Sequence, residues 1–176
     1  MKIVLCPNPF RDKGLKAAKS SETLLRAAGV HTECCFPFPV DKNNIGEIDP
    51  TIKIKEMKTE LPDADFLVCF GGDGTILHAA KDASSFGVPI VGVNMGSVGF
   101  MAELEQNELS QLTRLVSGEY TLENRMLLDV RVIRDGRVIF RSVSTTPSLP
   151  KAPWLGSLTC RCMGTRSSSP TSSGTG

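Results

Sequence analysis

The sequence has no apolar run long enough to span a bilayer, so a transmembrane helix is not expected within it. Its opening stretch, Met1-Lys2-Ile3-Val4-Leu5-Cys6-Pro7, is too short in apolar residues for a secretory signal. No sign of charge is in excess: 20 Lys and Arg stand against 19 Asp and Glu, a formal net charge of +1. So close a balance gives nucleic acid or an anionic membrane no electrostatic hold. No internal repeat is visible. These absences point to a cytoplasmic globular protein with small-molecule partners. Its 176 residues suffice for one domain, or for one domain and part of another.

Zinc spacing is missing as well. Six cysteines are present, and Cys160-Arg161-Cys162 has one intervening residue and no nearby histidine. Cys34 and Cys35 are adjacent, and neighbours rarely bridge each other. Cys6 and Cys69 end apolar runs and read as small core residues. Reduced thiols and no protein-held metal are the expectation.

What is present is an alternation of buried strand and helix. Lys2–Leu5 reads as a buried strand, ended by Pro7-Asn8-Pro9. Residues 15–28 carry helical spacing and stop at Gly29. His31 reads as loop, Pro37 and Pro39 mark a loop, and residues 53–60 read as a short polar helix. Phe66–Phe70 is unbroken apolar text, which suits a strand covered on both faces. A helix over 75–83, a buried strand at 90–93 and a helix over 104–117 follow, the last with Leu109, Leu112, Leu115 and Val116 as its apolar face. This is the pattern of an α/β fold: a Rossmann-like parallel sheet with helices on both faces. From Tyr120 the text alternates with period two, and Asp135-Gly136 is a hairpin turn between Met126–Ile133 and Val138–Phe140. The expected division is an α/β nucleotide-binding domain over 1–119, the start of a truncated β-rich second domain over 120–141, and a tail over 142–176. The tail is rich in Ser, Thr, Pro and Gly, contains no Asp or Glu, and reads as disordered on composition.

The most informative text is Gly71-Gly72-Asp73-Gly74-Thr75, directly after the buried strand. Glycines let a backbone approach an anion, and a helix start turns free N–H groups toward it. A carboxylate in a pure phosphate cradle would be repulsive. Asp73 makes sense as the acceptor of a proton from a hydroxyl attacking a phosphoryl group, or as a carboxylate that meets phosphate through Mg²⁺. The plainer alternative is a tight turn with Asp73 capping the helix.

This text resembles the kinases that carry GGDGT after a buried strand: NAD kinases, diacylglycerol and sphingosine kinases and, as a variant, phosphofructokinases. Val91-Gly92-Val93-Asn94-Met95-Gly96-Ser97-Val98-Gly99-Phe100-Met101 narrows the choice, because it is similar to the NAD kinase pattern Gly-Ile-Asn-x-Gly-x-Leu-Gly-Phe-Leu. Asn8-Pro9 and Glu123–Leu128 also match that family's text. The resemblance implies transfer of the ATP γ-phosphoryl group to the 2′-hydroxyl of the adenosine ribose of NAD, with a divalent metal such as Mg²⁺ and with Asp73 as base. It implies that Gly71, Gly72 and Gly74 shape the loop, and that a full-length protein forms homo-oligomers. Asn94, at a strand's C-terminal end, reads either as a ligand contact or as a turn residue. Phe100 reads as a ring that packs on nicotinamide or adenine, or as ordinary core. His78, one turn beyond Gly74, reads as a basic residue facing phosphate or as a solvated helix position. A lipid kinase and a non-catalytic nucleotide-binding remnant are the competing readings.

The family's second domain carries an Asn-Asp or Asn-Glu pair, and this chain departs from the family after Arg141, where that pair is due. Joining the third base of each codon to the first two of the next lets residues 144–153 read as Asn-Asp-Ala-Val-Ile-Thr-Lys-Gly-Thr. Residues 153–160 then read as Val-Ala-Arg-Val-Ile-Asp-Leu. A frameshift near Ser142 is the expectation, and with it a chain that lacks one wall of its site and has little or no kinase activity.

Overall fold

Unbroken apolar runs become the central strands. The computed structural model describes residues 1–41, 44–96, 99–134, 137–145 and 158–164, and side chains as far as Arg125. Strands β1 (Lys2–Pro7), β2 (His31–Cys35), β3 (Ile54–Lys55), β4 (Phe66–Gly71) and β5 (Ile90–Asn94) lie in the order β3-β2-β1-β4-β5. Every pairing among them is parallel. A short strand β6 (Leu104–Glu105) adds to β5, also in parallel.

Parallel strands need crossovers, and the crossovers cover both faces. Ile3, Leu5, Phe66, Val68, Phe70, Val91 and Val93 meet Ala17, Ala18 and Leu25 of helix α1 (Lys16–Ala27). Their neighbours Val4, Cys6, Leu67, Cys69 and Ile90 turn the other way. They meet Met57 of α2 (Met57–Glu60) and Ile76, Ala79, Ala80 and Ala83 of α3 (Asp73–Phe86). The α/β fold expected from the sequence is the one observed. Both helices stop where glycine takes the left-handed conformation, with φ of 81° at Gly29 and 69° at Gly87.

Four local readings need correction. His31 opens β2 rather than lying in a loop, because its register partner Lys2 starts β1. Residues 54 and 55 are drawn into the sheet by Cys34 and Cys35, which leaves only Met57–Glu60 as helix. The stretch 104–117 is not one α-helix: β6 is followed by a 3-10 helix, Gln106–Thr113, and a single α turn, α4 (Arg114–Ser117). Leu109, Leu112 and Leu115 recur every third residue, a spacing that suits the tighter helix equally well. Val116, read as part of that apolar face, is exposed. The tail's composition gave no strand, yet the backbone of Leu158–Gly164 runs as one, where Leu158, Cys160 and Cys162 alternate with Thr159 and Arg161.

Strands β7 (Tyr120–Arg134) and β8 (Arg137–Thr145) pair antiparallel, and β9 (Leu158–Gly164) runs parallel to β7. Tyr120 also packs edge-on against Phe66, with ring centroids 5.1 Å apart. The Asp135-Gly136 turn, and most of the rest of the tail, lie outside the described residues.

The edge of the sheet where β1 begins is held by charge. Lys2 Nζ lies 2.9 Å from Glu60 and 2.6 Å from Asp63, and Lys55 lies 3.4 Å from Glu60. The Lys2 hydrogen bonds hold the Glu60 and Asp63 carboxyls below their ordinary 4.5 and 3.8. Burial pulls the Lys2 amine down, but its bonds to Asp63 and Glu60 outweigh that and raise it above 10.5. Depressed carboxyls give stability that is present above their unfolded values and lost as pH falls through the folded ones. A raised amine gives stability that is full below its unfolded value and lost as pH rises through the folded one. The stability gap between wild type and Lys2→Met, measured by urea melts, is therefore expected to narrow below pH 4.5 and again above pH 10.5. A gap constant across that range would show that the cluster is only packing.

Candidate active site

Strand order reverses between β1 and β4, since β2 continues to one side of β1 and β5 to the far side of β4. Open α/β sheets bind ligands at such a point, beyond the C-terminal strand ends. Three polar segments meet there. Asn8 follows β1, Gly71-Gly72-Asp73 follows β4, and Asn94 ends β5 directly opposite Gly71 in the register.

The chain passes from β4 to α3 within two residues. Gly71 makes this possible, because a Cβ there would overlap the Thr75 side chain. Gly72, with extended backbone, stands at the helix cap, and its carbonyl accepts from the amides of Thr75 (2.9 Å) and Ile76 (3.3 Å). Asp73 is thus the first residue of α3 and does not cap it. Its carboxylate instead accepts the Phe100 amide on Oδ2 and the Met101 amide on Oδ1, each at 3.0 Å.

Gly72 and Gly74 tell a different story from Gly71. Nothing lies within 4 Å of a Cβ built on either, and neither has a positive φ. The fold itself does not demand glycine at these positions. What remains is the space they leave open over the loop, which is what a backbone-bound anion needs.

Asn94 is 6% exposed. Its Nδ2 donates to Glu105 at 3.1 Å and its Oδ1 accepts the Gly96 amide at 3.3 Å. It lies in β5 without a positive φ, so no unusual backbone angle calls for Asn there, although its bond to Gly96 still shapes the turn that follows. Phe100 is 81% exposed, so the core alternative for it falls. His78 is not brought against Asp73. Its ring meets Phe38 edge-on at 5.5 Å, and it lines a cleft of about 520 Å³ with Lys58 and Lys81. Ser97 and Val98 lie outside the described residues.

Sequence reasoning noticed Asn8 but gave it no role. Its Nδ2 donates to Thr75 Oγ1 at 3.0 Å, and its backbone N–H to the Phe70 carbonyl at 2.9 Å, so it pins the β1 end to the loop. Glu103 and Glu105 were missed. Glu103 accepts the Gly92 amide at 2.6 Å, beside a glycine whose Cβ would lie 2.5 Å from Ile76. No spacing signals such contacts, since they join segments far apart in the chain.

Among the described residues no group of three or more His, Cys, Asp or Glu is placed to hold a metal ion. Cys6, Cys34, Cys35 and Cys69 are free and buried, and burial pushes the Cys35 thiol up to about 12, so it is a poor nucleophile. No helix among the described residues is long and apolar enough to cross a membrane.

The fold and the loop define an α/β protein with a glycine-rich strand-to-helix junction bearing a carboxylate at the sheet's switch point. The family description ATP-NAD kinase N-terminal domain matches residues 15–120. The chain belongs to the NAD kinase family. It is similar to the NAD kinase of Heliobacterium modesticaldum, 45% identical over 46% of this chain and 29% of that protein. It is 31% identical to the NAD kinase of Acetivibrio thermocellus over 81% of this chain and 48% of that protein. It is 30% identical to that of Mycobacterium bovis over 89% of this chain and 54% of that protein. The chain thus spans at most about half the length of these relatives. The lipid-kinase reading gains nothing from these matches.

Glycine inside a helix costs about 0.5–1 kcal/mol against alanine, so Gly74→Ala is expected to raise the unfolding free energy by up to that amount. Gly71→Ala, which drives a methyl into Thr75, is expected to lower it by about 1–3 kcal/mol. Equal destabilisation in urea melts of the two variants would assign both glycines to packing.

Proposed function

We propose that this chain carries the hydroxyl-activating part of an NAD kinase, which moves the γ-phosphoryl group of ATP to the 2′-hydroxyl of the adenosine ribose of NAD. The observation that carries the reading is the Asp73 carboxylate, set in an open glycine loop at the switch point and flanked by Asn94. An Asp73 oxygen takes the hydroxyl proton. The freed O2′ lone pair bonds to the γ-phosphorus, and ADP leaves with the electrons of the broken P–O bond. The loop amides near Gly72 and Gly74 face phosphate, Asn94 hydrogen-bonds the nucleotide, and the Phe100 ring packs on nicotinamide or adenine. Lys58 and Lys81, in the cleft that His78 lines, add positive charge for phosphate.

A divalent metal such as Mg²⁺ would be held mainly by the nucleotide's own phosphates, as that ion commonly is. The described residues form no cage for it, and no step here runs through it. A cytoplasmic location fits the reduced thiols. A full-length protein with the second domain restored would form homo-oligomers.

The reading frame is proposed to shift near Ser142, so that the chain as written lacks the Asn-Asp pair and the second wall of the site. The decisive experiment compares the 176-residue chain with a protein expressed from the shifted frame, scoring NADP with an NADP-specific dehydrogenase. Turnover is expected from the restored protein alone, and Asp73→Asn in it is expected to lower kcat by about 10²–10⁴. NADP made at the restored rate by the chain as written would overturn the proposed incompleteness. A folded restored protein that binds NAD but makes no NADP would overturn the kinase reading and leave a nucleotide-binding remnant.

A further inference from the structure

Asp73 is oriented by a segment far from it in sequence. One amide reaches each carboxylate oxygen, Phe100 N–H to Oδ2 and Met101 N–H to Oδ1, both at 3.0 Å. An aspartate at a helix start otherwise samples several rotamers about χ1 and turns broadly about χ2. Two donors from successive residues fix both torsions at once. A carboxylate has about four lone-pair sites, so each oxygen keeps capacity for a further partner.

The fork closes because residue 99 has no side chain. A Cβ on Gly99 would lie 2.5 Å from Asp73 Oδ1. The close approach of the carboxylate requires glycine there. The two donors also differ in setting. Met101 is buried in the core beneath α3, whereas Phe100 presents its ring to solvent at 81% exposure. One end of the fork is anchored, and the other is tied to a surface that a planar ligand can touch.

We infer that the Gly99–Met101 backbone is a positioning clamp for Asp73, and that the exposed Phe100 ring couples this clamp to an aromatic ligand. A ring seated on Phe100 moves the same backbone unit whose amide holds Oδ2, so occupancy of the ring site is felt at the carboxylate. The clamp stands on geometry alone. Only the identity of the ligand, a nucleotide, rests on the kinase reading.

The test is residue-resolved amide exchange by NMR on the full chain. In the wild type both the Phe100 and Met101 amides are expected to be protected, although Phe100 is a surface residue. Asp73→Ala removes the acceptor, and Gly99→Ala forces it aside with Asp73 intact. Each is expected to speed exchange at these two amides by about tenfold or more, with β4 and β5 amides unchanged as proof of folding. Asp73→Asn keeps one acceptor oxygen and is expected to restore protection at one amide only. Added NAD is expected to shift both amide resonances, and Phe100→Ala is expected to lose that shift while keeping the protection. Unprotected amides in the wild type, or protection that survives Asp73→Ala, overturn the clamp. NAD-dependent shifts at Gly72 or Asn94 with none at Phe100 and Met101 overturn the coupling and leave the kinase reading standing. No NAD response anywhere, with the clamp protection intact, overturns the coupling, while the clamp itself holds.

Discussion

The backbone of Gly71 runs so close to Thr75 that no side chain fits between them, and the site is arranged around that approach. Because β4 turns into α3 there, Asp73 is delivered at the first residue of the helix, on the sheet's C-terminal edge. Because Thr75 is fixed against Gly71, its hydroxyl is available to Asn8, which ties the neighbouring strand end into the same junction. The Met95 amide then bonds the Gly71 carbonyl at 3.2 Å, which sets Asn94 alongside. Three segments from three strands converge through hydrogen bonds that each depend on one missing Cβ.

Much of this was legible in the text. Phe66–Phe70 is apolar at every position, which only a strand covered on both faces tolerates, and the structure covers it on both. Glycine after such a strand and helix text behind it located the junction. What was not legible depends on meetings between distant segments. Nothing near Asp73 in sequence reveals that its two oxygens are taken by residues 100 and 101, or that Asn94 leans on Glu105. His31 failed as a loop because a strand's start is set by its partner, and Lys2 is that partner. The region 104–117 failed as one α-helix because leucines three apart serve a 3-10 helix equally, and periodicity cannot separate the two over so few turns.

The two ends of the sheet are stabilised by different physics. The edge where β1 begins has an ionic cluster of Lys2, Glu60, Asp63 and Lys55, with nearly every charge matched. The C-terminal edge is built differently. It is held by backbone amides on side-chain oxygens: Phe100 and Met101 on Asp73, Gly96 on Asn94, Gly92 on Glu103. Amide-to-carboxylate bonds fix geometry without needing a cation at the loop, which would suit the phosphate-bearing ligand proposed above.

A base that draws a proton from a ribose hydroxyl gains from being shielded from water, since every electrostatic contact at the reacting atoms strengthens as the site dries. The described residues shield Asp73 from below, through Gly71, Thr75 and the buried Met101. On the Phe100 side they leave it open, because that ring is 81% exposed. An exposed aromatic ring beside a carboxylate is a surface that a ligand or another segment can cover. The proposed second domain would supply that cover, and the chain spans only about half the length of the matched relatives. Orientation of the carboxylate is therefore a property of the described residues, and exclusion of water a property of whatever covers Phe100. The first can exist without the second, but the proposed proton transfer gains from both.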